Sequence, residues 1–340
     1  MAKNVKLADI AEKLDVSVVT ISKALSGQKG VSEELREKIV QLADEMGYVQ
    51  PSVARRRAMH TNFNIGVLIE ENYLDRYSSF YWQMYQQVAQ QSMDKGCFSL
   101  LEVVTPAMEE QMQMPKLLTE NKTDGIIVIG WVNEAYVRKL VEEAEVPLVF
   151  MDCMDRKQSA DTIISDNYYG SYYLTNFLFD MGHENIAYVG TLGATGSITD
   201  RYLGYTKSLI EHGKDFRLDW IIDDRDADTG KIDEENKLQL PEEMPTAFFC
   251  NCDVTAGMLI KKLQKAGYRV PEDISVVGYD NYIYPGLCDI EITSYEVDYT
   301  EMSKRAVETL VRKLNKEYYA RGTHIVEGHL VIKDSVRKIN

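Results

Sequence analysis

No apolar run in these 340 residues approaches the roughly 18 that cross a bilayer, and the polar, helical N-terminus lacks the features of a secretory signal. The expected location is therefore the cytoplasm, with no membrane partner. Cysteine is scarce too. The five residues Cys97, Cys153, Cys250, Cys252 and Cys288 are odd in number and lack framework spacing, which excludes a disulfide scaffold and suits a reducing compartment. Cys250-x-Cys252 has no second Cys/His pair nearby, so no four-ligand metal site is expected. None of the five histidines (His60, His183, His212, His324, His329) has a nucleophile or metal partner in its motif. Gly190-Thr191-Leu192-Gly193 followed by Gly196 misses both the phosphate-loop and the dinucleotide spacings. Aspartates near a cleft can suggest glycoside hydrolysis, but no pair is placed at a testable separation. These absences favour a protein that is not an enzyme and carries no metal or cofactor.

Positive charge is missing from most of the chain as well. The net charge is −15, but residues 1–60 carry +2 and the remaining 280 carry −17. Only the N-terminal piece, which ends in Arg55-Arg56-Arg57, suits a polyanion, and the acidic remainder would repel one.

What is present begins with LADIAEKLDVSVVTISKAL at 7–25. Leu7, Ile10, Ala11 and Leu14 fall at i, i+3, i+4 and i+7, one face of a first helix. Asp15-Val16 reads as a turn, and Ser17 is a good N-cap for a second helix. On that helix Val18 and Val19 should face outward, Ile21 and Leu25 inward, with Thr20, Ser22 and Lys23 polar. Such a helix can lie in a major groove and offer side chains to base edges, although any small helical hairpin shares its periodicity. A third helix is expected from a Ser32 cap, with Leu35, Ile39, Leu42 and Met46 on its inner face.

From residue 64 onward, short apolar strands alternate with amphipathic helices. Strands are expected over 65–69, 98–104, 125–129, 148–151 and 163–164, then over 186–189, 220–222, 247–250 and 275–277. Helices are expected over 82–93, 134–143, 169–181, 202–212 and 254–266. Buried strands separated by helices specify parallel sheets covered on both faces, and two such series specify an α/β core of two Rossmann-like lobes. In such sheets ligands bind at the carboxyl ends of strands, which singles out 80–82, Asp152, Asp166-Asn167, Arg201, Asp253 and Asp280-Asn281.

The chain resembles the lactose-repressor/galactose-repressor (LacI-type) family of bacterial transcription regulators. The resemblance rests on KLADIAEKLDVSVVTISKALSG and VSEELREKIVQLADEMGY in the headpiece. In the core it rests on SDNYYGSYYLTNFLFDMGHENIAYVG, Arg201 with Gly204-Tyr205, and GYRVPEDISVVGYDN. It implies a helix-turn-helix headpiece at 1–49, a hinge segment at 50–61 and a periplasmic-binding-protein-like core at 62–340. The lobes of that core are expected at about 62–161 with 291–322, and about 162–290 with 323–340. It further implies a homodimer on a pseudo-palindromic double-stranded operator, controlled by a small effector that is commonly a sugar, hence a repressor of carbohydrate-utilisation genes. Two alternatives stay open: control by a phosphocarrier protein, and a sugar-modifying enzyme with a DNA-binding appendage. No leucine-heptad tail follows the strand-like run at 329–332, which suits a dimer.

The DNA-contacting set implied is Ser17, Val18, Val19, Thr20, Ser22, Lys23, Val53, Ala54 and Arg57. The two valines suit thymine methyls, and Lys23 suits a guanine or a phosphate. Asp15 stands where the family turn usually has Gly, and Arg57 where its hinge has a Leu that wedges between base steps. An arginine there suits a narrow A·T-rich minor groove. The effector set implied is Phe80, Tyr81, Asp152, Arg201, Asp253 and Asp280. Trp82 is expected in the core, and Asp166 and Asn167 at the lobe crossover.

Overall fold

In the structure, a computed structural model, residues 7–25, 30–46, 48, 62–74, 80–130, 133–154, 157, 160–227, 229–282, 284 and 286–339 are described. The chain divides into two compact units, Met1–His60 and Thr61–Asn340. The expected hinge at 50–61, with Val53, Ala54 and Arg57, lies outside the described residues.

The first unit holds α1 (Leu7–Leu14), α2 (Val18–Leu25) and α3 (Glu33–Glu45). Ile10, Ala11, Ile21, Ala24, Ile39 and Ala43 close a small apolar core, with Leu7, Leu14, Leu25, Leu35 and Leu42 around it. The turn requires a left-handed residue, and Asp15 supplies it at φ 50°. The Ser17 hydroxyl accepts from Thr20 N at 3.1 Å, the N-cap expected of it. Arg36 of α3 donates to the Ala24 carbonyl at 2.6 Å, satisfying one of the open acceptors at the end of α2.

The second unit is built on two six-stranded sheets. The first contains β1 (Asn64–Glu70), β2 (Phe98–Val104), β3 (Gly125–Ile129), β4 (Leu148–Met151), β5 (Asp161–Ser165) and β11 (Thr323–Val326), in the order β11-β5-β4-β3-β1-β2. The second contains β6 (Ile186–Val189), β7 (Ile221–Ile222), β8 (Ala247–Cys250), β9 (Ser275–Asp280), β10 (Thr293–Glu296) and β12 (His329–Val331), in the order β12-β10-β9-β8-β6-β7. Pairing is parallel except between β10 and β12. The central strands β1, β3, β4, β6 and β8 are buried almost throughout, as parallel strands between helical layers must be.

The helices are α4 (Phe80–Asp94), α5 (Pro106–Glu110), α6 (Lys116–Thr119) and α7 (Glu134–Glu143), then α8 (Asn167–Asp180), α9 (Gly196–Glu211), α10 (Asp253–Lys265) and α11 (Tyr299–Leu314). α8 and α9 cross closely, because Gly204 lets the Tyr168 carbonyl come within 2.0 Å of where a Cβ would stand.

Strand pairing corrects the expected lobe boundaries. Segments 162–165 and 323–326 belong to the first sheet, since β5 pairs with β4 and β11, while 293–296 belongs to the second. α11 returns to the first lobe, where Lys313 Nζ donates to the Leu148 carbonyl at 2.9 Å and to Asp161 at 2.8 Å. The chain thus passes between lobes three times, after β5, β10 and β11. Between β7 and β8 the alternation lapses: no helix occurs among the described residues of 223–246, and Arg225 pairs with Ile232 across a hairpin instead.

Candidate functional site

On the headpiece, Val18 and Val19 are 44% and 62% exposed, and Ser17, Ser22 and Lys23 are exposed beside them. The spacing 18, 19, 22, 23 puts two apolar and two polar side chains on one face of α2. Thr20 is half-buried and its hydroxyl lies 2.9 Å from that of Ser17, so it braces the cap rather than standing on that face.

In the core, the strand ends of both lobes converge. Arg201 of α9 is 5% exposed. Its Nε donates to Asn167 Oδ1 at 2.8 Å and its Nη1 to the Asn251 carbonyl at 2.6 Å, while Nη2 lies 3.2 Å from Asp280 Oδ1. The guanidinium also covers the Tyr279 ring, 3.8 Å from its centroid. Burial drives Asp280, at φ 100°, up to about 7 against the pull of Arg201. From the first lobe, Asp152 follows β4 at φ 60° and accepts from the Tyr81 hydroxyl at 2.9 Å. Burial raises Asp152, and the charge of Arg201 and the Tyr81 hydroxyl act against it. Tyr73 and Tyr81 pack tilted, ring centres 4.3 Å apart. Of the expected effector set, Tyr81, Asp152, Arg201 and Asp280 lie at these strand ends, and Asn167, expected at the lobe crossover, accepts from Arg201 beside them.

Phe80, Asp253 and Trp82 are placed otherwise than expected. Phe80 is 5% exposed and meets Tyr299 and Tyr282 edge-on at 5.8 and 6.2 Å, so it is a packing residue where the lobes touch. Asp253 is buried beside the cluster, but its oxygens accept from Ser294 Oγ (2.8 and 3.1 Å) and Tyr282 N (2.8 Å), bracing the loop after β9. Burial, with Asp280 nearby, holds it well above the usual carboxylate range. Trp82 is 38% exposed rather than core, because it sits on the outer side of α4 against Tyr85. Asp166 caps α8 through Tyr169 N at 3.2 Å.

Sequence reasoning missed a second buried charge pair. Arg225 forks onto Asp224 at 2.7 to 3.1 Å, and Asp224 also accepts from Asn251 Nδ2 and Thr255 Oγ1 at 2.7 Å and Thr191 N at 3.0 Å. Burial opposes the charge on Asp224, yet Arg225 and these donors hold it down at about 2. It also missed Glu70 and Tyr73. All four stand just past β7 or at the end of β1, so the strand-end rule that found Asp152 would have found them.

A helix-turn-helix unit followed by a two-lobed core with a polar cleft at its strand ends is a regulator's architecture. The comparisons agree. Residues 6–51 match the bacterial regulatory proteins of the lacI family, and residues 175–336 match a periplasmic binding protein-like domain. The chain is 28% identical over 336 residues to the HTH-type transcriptional repressor PurR of Vibrio vulnificus (strain CMCP6), covering 98% of this chain and 99% of that protein. Against the PurR of Aliivibrio salmonicida (strain LFI1238) it is 27% identical over 335 residues, covering 98% and 99%. Among solved structures, the lac repressor dimer bound to operator and the anti-inducer ONPF superposes with a TM-score of 0.65 at 21% identity, covering 98% of this chain and all of that one. The transcriptional regulator CelR–cellobiose complex superposes at 0.68 and 20%, with the same coverage. The chain carries a lacI-family helix-turn-helix domain and a periplasmic-binding-protein-like domain, and is a DNA-binding transcription regulator.

Proposed function

We propose that the protein is a repressor, acting as a homodimer on a pseudo-palindromic operator, whose DNA affinity is set by a small carbohydrate bound between the lobes of its core. The observation that carries this reading is the cluster of Arg201, Asp280, Asp152, Tyr81 and Tyr73 contributed by both lobes at their strand ends. Carboxylates that accept from hydroxyls, fixed guanidiniums and aromatic faces suit a neutral polyol ring. The named neighbours support it, since one is a repressor dimer on its operator and another holds cellobiose. Ligand contacts made by both lobes favour one interlobe angle, and three chain crossings let that angle change; a dimer passes the change to its two headpieces. The DNA-facing set is Ser17, Val18, Val19, Ser22 and Lys23 on the headpiece, with Val53, Ala54 and Arg57 of the hinge.

The test starts with DNA selected by the full chain from a random duplex pool, followed by a thermal-shift screen of sugars and sugar phosphates. A sugar that raises the melting temperature of the protein but not of Asp152→Ala supports the reading. Enrichment of no sequence, or stabilisation that Asp152→Ala leaves intact, overturns it.

A further inference from the structure

A cavity of about 400 Å³ lies at the lobe crossings, within the roughly 300–1,000 Å³ of ligand pockets, and it shares no lining residue with the Arg201 cluster. Asp166 follows β5, Tyr295 stands one residue before the end of β10, and Glu327-Gly328 joins β11 to β12. Residues at all three crossings thus form its wall, completed by Tyr169 and Tyr173 of α8. Gly328 has no Cβ, which lets the Tyr295 ring and the Glu296 carbonyl lie against it, and its N–H donates to the Tyr295 hydroxyl at 3.2 Å. The crossings after β10 and β11 are therefore packed on one another at this cavity.

The wall combines aromatic rings with negative charge. Tyr169 and Tyr173, 47% and 54% exposed, stand one turn apart with ring centres 6.4 Å apart and planes at 29°. Burial pushes Asp166 up and Glu327 pushes it further, with the Tyr169 amide acting against both. Neither carboxylate forms a salt bridge among the described residues: Lys207 lies 3.8 Å from Glu211, and His329 lies 3.8 Å from Glu296. Lys207 shows what rings of this run accept, since its ammonium stands 4.2 Å from the Tyr172 centroid and 5.2 Å from that of Tyr169. Two carboxylates repel phosphates and acids, whereas tyrosine rings beside them suit a cation that carries apolar surface.

A chain of contacts leads from this cavity to the cleft. The Tyr279 hydroxyl donates to the Asp166 carbonyl at 3.0 Å, and the Tyr279 ring lies tilted against that of Tyr295, centres 5.2 Å apart. The same ring carries the Arg201 guanidinium, 3.8 Å from its centroid.

We propose that this cavity is a ligand site separate from the cleft, that it takes a small organic cation of the alkylamine or quaternary ammonium class, and that filling it biases the angle between the lobes. The cation sits against the Tyr169 and Tyr173 rings with Asp166 and Glu327 as its counter-charges. Because residues at the crossings build the wall, its shape changes with the lobe angle, and a ligand that fits it prefers one angle. The site stands whatever the cleft binds.

The experiment is calorimetric titration of the full chain with choline, tetramethylammonium and putrescine at fixed ionic strength, with sodium chloride as the plain-cation control. At least one organic cation should bind saturably. Tyr173→Ala and Glu327→Gln, both at exposed positions, should each weaken it about threefold or more. The bound cation should also change the Kd of the full chain for its selected DNA at that ionic strength, and Tyr173→Ala should remove the change. Saturable binding by none of the three, or binding that both substitutions leave intact, overturns the site. Binding that leaves the DNA Kd unchanged, or a change that persists in Tyr173→Ala as a general salt effect would, overturns its control of the lobe angle.

Discussion

Asp280 shows how much of the cleft's behaviour is set by one side chain. It sits in the left-handed region, 7% exposed, with Arg201 as its cation and its acidity shifted to about 7. Between about pH 4 and 7 the folded carboxyl keeps a proton that the unfolded chain has lost. Its contribution to stability is therefore full below about pH 4, falls as pH rises through 7, and is flat above. Glu70 behaves the same way. Asp224, held at about 2, has the opposite sign: its contribution is full above about pH 4 and lost only as pH falls toward 2. Asp280→Asn should therefore flatten the decline in stability to urea between about pH 5 and 7.5, without changing the loss below about pH 4. A decline unaltered by the substitution contradicts this assignment. Removing Asp224 is the harsher change, since Arg225 would remain buried and unpaired. Asp224→Ala should cost on the order of 3–5 kcal/mol in denaturant unfolding.

At the scale of elements, the parallel strands were legible because burial on both faces leaves only apolar side chains, and the runs at 125–129, 148–151, 186–189 and 247–250 are uninterrupted. Two strands were not legible. β10 reads Thr-Ser-Tyr-Glu and β11 reads Thr-His-Ile-Val, and each becomes a strand through the partner beside it, Ser275–Asp280 or Asp161–Ser165, rather than through its own pattern. Those two strands are why the boundaries near 291 and 323 were misplaced; β5 was expected as a strand and put in the wrong lobe. α11 was legible in principle: Met302, Ala306, Val307 and Leu310 form a regular buried stripe. At the site, Asp152 after β4 and Asp280 at the end of β9 were singled out from the strand ends. Glu70 and Asp224 were passed over because the chain beyond them looks like ordinary acidic surface, and only the fold buries them.

The crossing of α8 and α9 gives Gly204 a physical reason that the motif alone does not. A Cβ there would meet the Tyr168 carbonyl at 2.0 Å and Ser171 Oγ at 2.1 Å, and backbone cannot move aside cheaply. Gly204→Ala should lower stability by about 1–3 kcal/mol or more and displace Arg201, one turn earlier on α9. Thermal unfolding together with sugar titration checks both effects. A variant with unchanged stability contradicts the packing described.

For the whole molecule, the division of charge is functional in itself. Residues 1–60 carry +2 and the rest of the chain −17, so electrostatic attraction to DNA is favoured on the N-terminal piece and opposed on the remainder. The two units must then communicate through binding free energy. Because that coupling is reciprocal, one measurement reaches the central claim. The full chain is titrated onto its selected DNA by fluorescence anisotropy at fixed salt, without and with a saturating cleft sugar; the sugar's own Kd is measured with the DNA absent and present. The account predicts that the sugar changes the Kd for DNA by at least about fivefold, that DNA changes the Kd for sugar by the same factor, and that Asp152→Ala abolishes both. A sugar that binds the core while leaving the DNA Kd unchanged would contradict it.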